Sequence, residues 1–142
     1  MTAYLVSVVF VWALDRMSKA FVYKTLGSSC SIHLGIFSIR PTFNQQSHHR
    51  LGSRSSLLLW ILALGAAMML IKGIGGAYST TLTQIALGAA IGGGAGNLYD
   101  RWRFGAIQDI MDLKFTVFNI ADVAIIFGVS MTILRSLVQL PS

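Results

Sequence analysis

An all-α membrane protein is the fold class that this sequence predicts, with four transmembrane helices and a small extramembrane β-rich loop after the first. Three observations carry the prediction. Of the 142 residues, 54% are hydrophobic and 11% charged, where soluble domains carry about 25% charged residues. The charges are also unevenly spread: residues 55–71 and 73–99 hold none, and a helix needs roughly 20 mainly apolar residues to cross the hydrocarbon core. Finally, the remaining apolar runs, 2–14 and 115–134, reach that length only by admitting charge. Residues inside a membrane helix that carry charge persist when paired or when they face a polar cavity.

The four helices are expected at about residues 2–23, 55–72, 80–100 and 117–137 of one domain spanning 1–142. In the first, Asp15 and Lys19 stand at i and i+4, the spacing at which a helix lets opposite charges pair. A cleaved signal peptide is the alternative for this segment. It is rejected because no basic residue precedes the apolar run and Asp15 and Arg16 occupy the place of a small-residue cleavage site. The loop 24–54 contains the alternating stretch His33-Leu34-Gly35-Ile36-Phe37-Ser38-Ile39, which predicts short strands. The link 73–79 is short and glycine-rich, as a tight turn requires. In the third helix Gly88, Gly92 and Gly96 recur every four residues, a small-residue stripe that lets another backbone approach.

Charge and cysteine usage exclude several function classes. A formal net charge of +6 without a basic tail or long Lys/Arg run fits attraction to anionic phospholipid headgroups better than a nucleic-acid partner. The single cysteine, Cys30, rules out an intrachain disulfide and a four-cysteine metal site.

The acidic residues point to chemistry. All five are aspartates, and Asp100, Asp109, Asp112 and Asp122 gather between the end of the third helix and the start of the fourth. Asp109 and Asp122 would stand roughly 20 Å apart on one continuous helix. A helix end at Gly105 and a reversal at Leu113-Lys114-Phe115 would bring them to the same end of the bundle. Two carboxyl groups in close contact share one proton, the arrangement of an aspartyl protease. Asp100, beside Arg101, suits a structural hub, and Asp112 a solvated position; spacing alone does not choose among the four. Rival constellations are weaker. Ser18 and Lys19 are helix neighbours that do not face each other, His48 and His49 lack a His-Glu-x-x-His helix, and nothing orients His33 toward Cys30.

The runs Gly93-Gly94-Ala95-Gly96-Asn97-Leu98-Tyr99-Asp100-Arg101, then Asp109, then Phe118-Asn119-Ile120-Ala121-Asp122, together with Leu14-Asp15-Arg16-Met17-Ser18-Lys19, resemble the signature blocks of lipoprotein signal peptidases. The resemblance spans nearly the whole chain. It implies a bacterial inner-membrane endopeptidase, monomeric and without metal or organic cofactor, that cuts diacylglyceryl-modified prolipoproteins just before the lipidated cysteine and is inhibited by globomycin. It implies Asp109 and Asp122 as the catalytic pair. Asn97, Asp100, Arg101 and Asn119 match the residues around that pair, and Asp15 and Lys19 the polar pair of the first helix. Both termini would then be cytoplasmic and the pair near the outer face, whereas the basic residues of the loop 24–54 argue the reverse by the positive-inside rule. One block departs: Asn44 fits the first position of an Asn-x-Gly-Ala-x-Phe motif, but Gln45-Gln46-Ser47-His48-His49 replaces the rest. A catalytically silent lipopeptide binder and a small proton- or ion-coupled carrier are the competing classes.

Overall fold

The structure, a computed structural model, describes residues 2–27, 30–44 and 80–138. The chain forms helix α1 (Thr2–Leu26), strands β1 (Ile32–Leu34) and β2 (Phe37–Asn44), helix α2 (Thr81–Phe104), strands β3 (Ile107–Asp112) and β4 (Val117–Phe118), and helix α3 (Ile120–Val138). The strands make one antiparallel sheet in the order β1-β2-β3-β4.

The all-α, four-transmembrane-helix expectation is corrected on two counts. The described residues hold three helices and a four-stranded sheet, because residues 107–118, expected as a link and a helix start, form a hairpin that extends the β1–β2 pair. In addition, no helix among the described residues is long and apolar enough to cross a membrane. Charge interrupts α1 at Asp15, Arg16, Lys19 and Lys24, whereas the uncharged stretch of α2 is diluted by glycine, threonine, Gln84 and Asn97 before Asp100, Arg101 and Arg103, and α3, of 19 residues, carries Asp122 and Arg135. The helix expected at 55–72 lies outside the described residues, as do Gln45, Gln46, Ser47, His48 and His49.

Glycine sets the helix packing. A Cβ at Gly88 would lie 2.6 Å from the Tyr4 carbonyl oxygen, one at Gly92 2.6 Å from that of Val8, and one at Gly96 2.7 Å from Asp15 Oδ2. The glycine stripe of α2 is therefore the seam along which α1 lies, running parallel to it. On another side, Gly93 meets the Ala121 carbonyl and Gly128 meets that of Ala86, so α3 runs antiparallel to α2. The ends of α1 and α2 and the start of α3 consequently converge.

The turns follow from local chemistry. Thr80 caps α2 by accepting a bond from the Thr83 amide at 3.3 Å. Gly105, at φ 72°, closes α2 in the left-handed conformation, its N–H bonded to Arg101 O at 3.1 Å. The β3–β4 reversal turns on Lys114, at φ 65°, whose amide donates to Asp112 Oδ1 at 2.8 Å. Both breaks fall where the sequence put them. Strand β2 carries an irregularity between Ile39 and Thr42, where Arg40 and Pro41 face the single residue Ile110. Proline has no N–H to give to a ladder, and a bulge is where a strand tolerates it.

Polarity is inverted between inside and outside. Asp15, Asp100 and Asn119 are wholly buried and Lys19 nearly so, while Val6, Phe10, Met17 and Phe21 on α1 and Ile126, Ile133 and Val138 on α3 are exposed. Charged residues are almost never fully buried unless paired.

Candidate active site

At the convergence of the three helices, Asp109 is fixed by β3. It stands opposite Thr42 of β2 and is 1% exposed. Its Oδ2 accepts from Asn44 Nδ2 at 3.1 Å and its Oδ1 from Asn119 Nδ2 at 2.8 Å. Burial pushes its carboxyl up to about 6, and the nearby Asp122 carboxylate adds to the rise. The bonds from Asn44 and Asn119 and the charge of Lys19 oppose it.

Asp122 is fixed by the start of α3. The Asn119 backbone N–H donates to Asp122 Oδ2 at 3.2 Å, and the Asp122 N–H donates to Asn119 Oδ1 at 3.0 Å. This is a reciprocal capping box at Ncap and N3. Asp122 Oδ1 also accepts from Asn97 Nδ2 at 2.7 Å, and the charge of Arg101 on α2 acts on this carboxylate. A carboxylate in the first turn also meets the positive end of the helix dipole.

One buried side chain links the two carboxylates. Asn119 Nδ2 reaches Asp109 Oδ1, Asn97 Oδ1 at 3.1 Å and the Gln108 carbonyl at 3.3 Å, while its Oδ1 caps Asp122. Asn97 closes the ring by donating to Asp122. Asp109, Asp122, Asn44, Asn97 and Asn119 thus form one hydrogen-bonded constellation.

Beneath it lies a buried ion cluster. Lys19 Nζ donates to Asp15 Oδ2 and to Asp100 Oδ2, both at 2.7 Å. Arg16 NH2 lies 3.0 Å from Asp15 Oδ2 and 2.7 Å from Asp100 Oδ1. Asp15 Oδ1 accepts from the Ala121 amide and Asp100 Oδ2 from the Gln108 amide, each at 3.1 Å. Asp100 is the hub that its sequence context suggested, but these charge partners come from α1 and not from the adjacent Arg101. Arg16 was not singled out by sequence reasoning, because residues one apart on a helix do not face each other. Its long side chain instead swings over the Tyr99 ring, 5.0 Å from the centroid. Asp112 stands apart, paired with Arg40 at 2.6 Å.

Two cavities flank Val117. One of about 520 Å³ is lined by Asp122 and mainly apolar side chains, among them Val117, Phe118, Val123 and Ile126. The other, of about 460 Å³, is lined by Arg40, Asn44, Asp112, Lys114 and Thr116. An apolar recess with a carboxylate at its edge suits a hydrophobic peptide or acyl chain presented to an acid–base pair.

Comparison with known proteins places the chain in a family. Residues 7–138 match the family model described as signal peptidase (SPase) II. A lipoprotein signal peptidase of Gloeobacter violaceus is 31% identical over 131 residues, covering 88% of this chain and 76% of that protein. Another, from Anaplasma marginale, is 33% identical over 133 residues, covering 87% and 78%. A solved structure described as a bacterial membrane enzyme superposes with a TM-score of 0.81 at 24% identity, covering 99% of this chain and 96% of that one. The buried aspartate constellation thus stands in a chain that belongs to the signal peptidase II family, the peptidases of lipoprotein signal peptides.

Proposed function

We propose that Asp109 and Asp122 are the acid–base dyad of an aspartyl endopeptidase that cuts diacylglyceryl-modified prolipoproteins immediately before the lipidated cysteine. The observation that carries this reading is the Asn119 bridge, which ties a carboxyl raised by burial to a second carboxylate through one side chain.

The roles follow from the surroundings. Burial makes Asp109 the member that keeps the shared proton, so it serves as the acid toward the scissile carbonyl oxygen. Asp122 accepts from two donors at the positive end of α3 and serves as the base. Water attacks the carbonyl carbon and gives its proton to Asp122, while Asp109 protonates the oxygen. Collapse of the tetrahedral intermediate breaks the C–N bond. The amine of the cysteine then leaves with the proton that Asp122 took from water, and Asp109 recovers its own. Asn97, Asn119 and Asn44 aim the carboxylates, and Asp15, Lys19, Asp100 and Arg101 support them. The apolar recess beside Asp122 is the expected seat for the signal-peptide side of the substrate.

The chain works as a monomer among phospholipids in the bacterial inner membrane. Its inverted polarity, with charged pairs inside and large apolar side chains outside, supports a lipid surrounding. The dyad is proposed near the outer face and both termini in the cytoplasm. Support comes from the helix directions, since the start of α1 and the end of α3 both lie at the end remote from the dyad. A reporter fused after Ser142 should be cytoplasmic.

The test is cleavage of purified diacylglyceryl prolipoprotein, with and without globomycin. Asp109→Asn and Asp122→Asn should each lose on the order of 10²–10⁴-fold in rate, the usual worth of acid–base catalysis. The double variant should be little worse, because groups acting as a unit are not additive. Near-normal turnover by either folded single variant would move the chemistry elsewhere.

A further inference from the structure

The buried ion cluster has a symmetry that the catalytic reading does not use. Asp100 holds the amide of Gln108, the residue before Asp109, and Asp15 holds the amide of Ala121, the residue before Asp122. The distance between these two anchoring carboxylates bears directly on the distance between the two catalytic ones. Lys19 sets it from one side, at 2.7 Å to each, and Arg16 from the other, at 3.0 and 2.7 Å.

We propose that Arg16 is a positioning residue of the dyad, the second half of a two-cation clamp that fixes the spacing and the charge beneath Asp109 and Asp122. The inference rests on the dyad reading above. Three features separate Arg16 from an ordinary surface arginine. Its guanidinium bridges two fully buried carboxylates contributed by different helices. It is seated on Tyr99, which packs edge-on against Trp12 and Phe104, so its fork is held in one orientation. It also completes neutrality: with Arg16 and Lys19 opposite Asp15 and Asp100, the cluster carries no net charge, and without Arg16 it carries one uncompensated buried negative charge. Breaking a buried pair on one side costs far more than the pair itself contributes.

The charge consequence reaches Asp109. Among the described residues, the charged and titratable groups acting on it are Asp122 from α3 and Lys19 and Tyr23 from α1, with Asp100 of α2 bound behind Lys19 and Arg101 of α2 acting on Asp122. An extra negative charge in the cluster favours the protonated form of Asp109. The alkaline limb of the rate profile, where the dyad loses its shared proton, therefore moves to higher pH.

The experiment measures kcat, KM and the pH profile of Arg16→Gln and Arg16→Lys on diacylglyceryl prolipoprotein, beside the unaltered enzyme. Arg16→Gln should lose on the order of tenfold to a hundredfold in kcat, as displaced catalytic groups do, with KM within about twofold and the alkaline limb raised. Arg16→Lys keeps the charge but not the fork; its limb should stay put while kcat falls. In Arg16→Gln/Asp100→Asn, where charge balance returns, the limb should return as well. A folded Arg16→Gln with unchanged kcat and limb overturns the proposal. So does a loss of melting temperature and yield with unchanged kcat per folded molecule, the mark of a merely structural arginine. Should Arg16→Gln not fold, unchanged kcat in Arg16→Lys overturns it equally. Failure of the unaltered enzyme to cleave would instead overturn the dyad reading.

Discussion

Replacing Asp109 by Asn should abolish cleavage and at the same time make the protein more stable at alkaline pH. The carboxyl sits 1% exposed, with its folded-state pKa raised from 3.8 to about 6 by burial. A carboxyl raised in this direction favours the fold fully below its unfolded value, and that contribution is lost as pH rises through about 6. Near pH 8 the native state therefore carries an ionised group that it would hold more readily neutral. The difference of about two units corresponds to ~3 kcal/mol. Asn removes this cost but must be accommodated. Its Oδ1 can still accept from Asn119, while its NH₂ would meet the NH₂ of Asn44. A flip of the half-buried Asn44 amide turns that clash into a bond. Allowing for an imperfect fit, ~1–2 kcal/mol should remain at pH 8, a rise in melting temperature of a few degrees. At pH 4, where Asp109 is already largely protonated, the gain should vanish. The assay is thermal unfolding of both proteins across pH 4–8, with prolipoprotein cleavage measured alongside. A variant less stable than its parent at pH 8, or a stability difference independent of pH, would refute the argument that burial holds a proton on Asp109.

Three further outcomes test the constellation around the dyad. Asn119→Ser keeps a good helix cap and removes the donor to Asp109, so it should fold well, cleave poorly and shift the alkaline limb upward. Asn119→Ala should in addition lose ~1 kcal/mol of stability with the cap, read as a lower melting temperature than that of Asn119→Ser. Gly92→Ala, whose Cβ would come 2.6 Å from the Val8 carbonyl oxygen, should cost ~1–3 kcal/mol by forcing α1 from α2. Asp112→Asn weakens a pair whose Arg40 partner is half exposed and keeps an oxygen for the Lys114 amide, so it should change cleavage rate and melting temperature little.

The catalytic candidates were legible in the sequence because their signals are local. Four aspartates within 23 residues, a glycine at 105 and the short stretch Leu113-Lys114-Phe115 locate an end of the bundle where the chain must reverse. The sheet was only half legible. Residues 33–39 alternate and announced strands, but Ile107–Asp112 is buried on both faces over most of its length and shows no alternation. Its pairing with β2 joins residues more than sixty positions apart, as in Asn44 with Ile107, which no local pattern records. Asn119 was visible as a matched residue, but not as the cap that joins both carboxylates. That requires knowing that α3 starts at Ile120 and not at 117. Arg16 was hidden by the rule that helix neighbours diverge, which holds for short side chains and fails for one long enough to cross to the next helix.

The irregularity in β2 has a consequence for insertions and deletions. Side chains along a strand alternate between faces, so one residue more or less inverts every later position. With Arg40 and Pro41 both spent against Ile110, Thr42 falls opposite Asp109 and Asn44 lies two further along, on the same face. Removing one residue at 40–41 would let the ladder close as a regular pair with Thr42 still opposite Asp109 and Asn44 still on its face, whereas one residue added or lost between Thr42 and Asn44 would turn Asn44 to the other side of the sheet and cost Asp109 its donor at 3.1 Å. The frame from Thr42 to Asn44 is thus tied to the proposed dyad: lineages of this enzyme should tolerate a change in the number of residues at 40 and 41 more readily than one between Thr42 and Asn44.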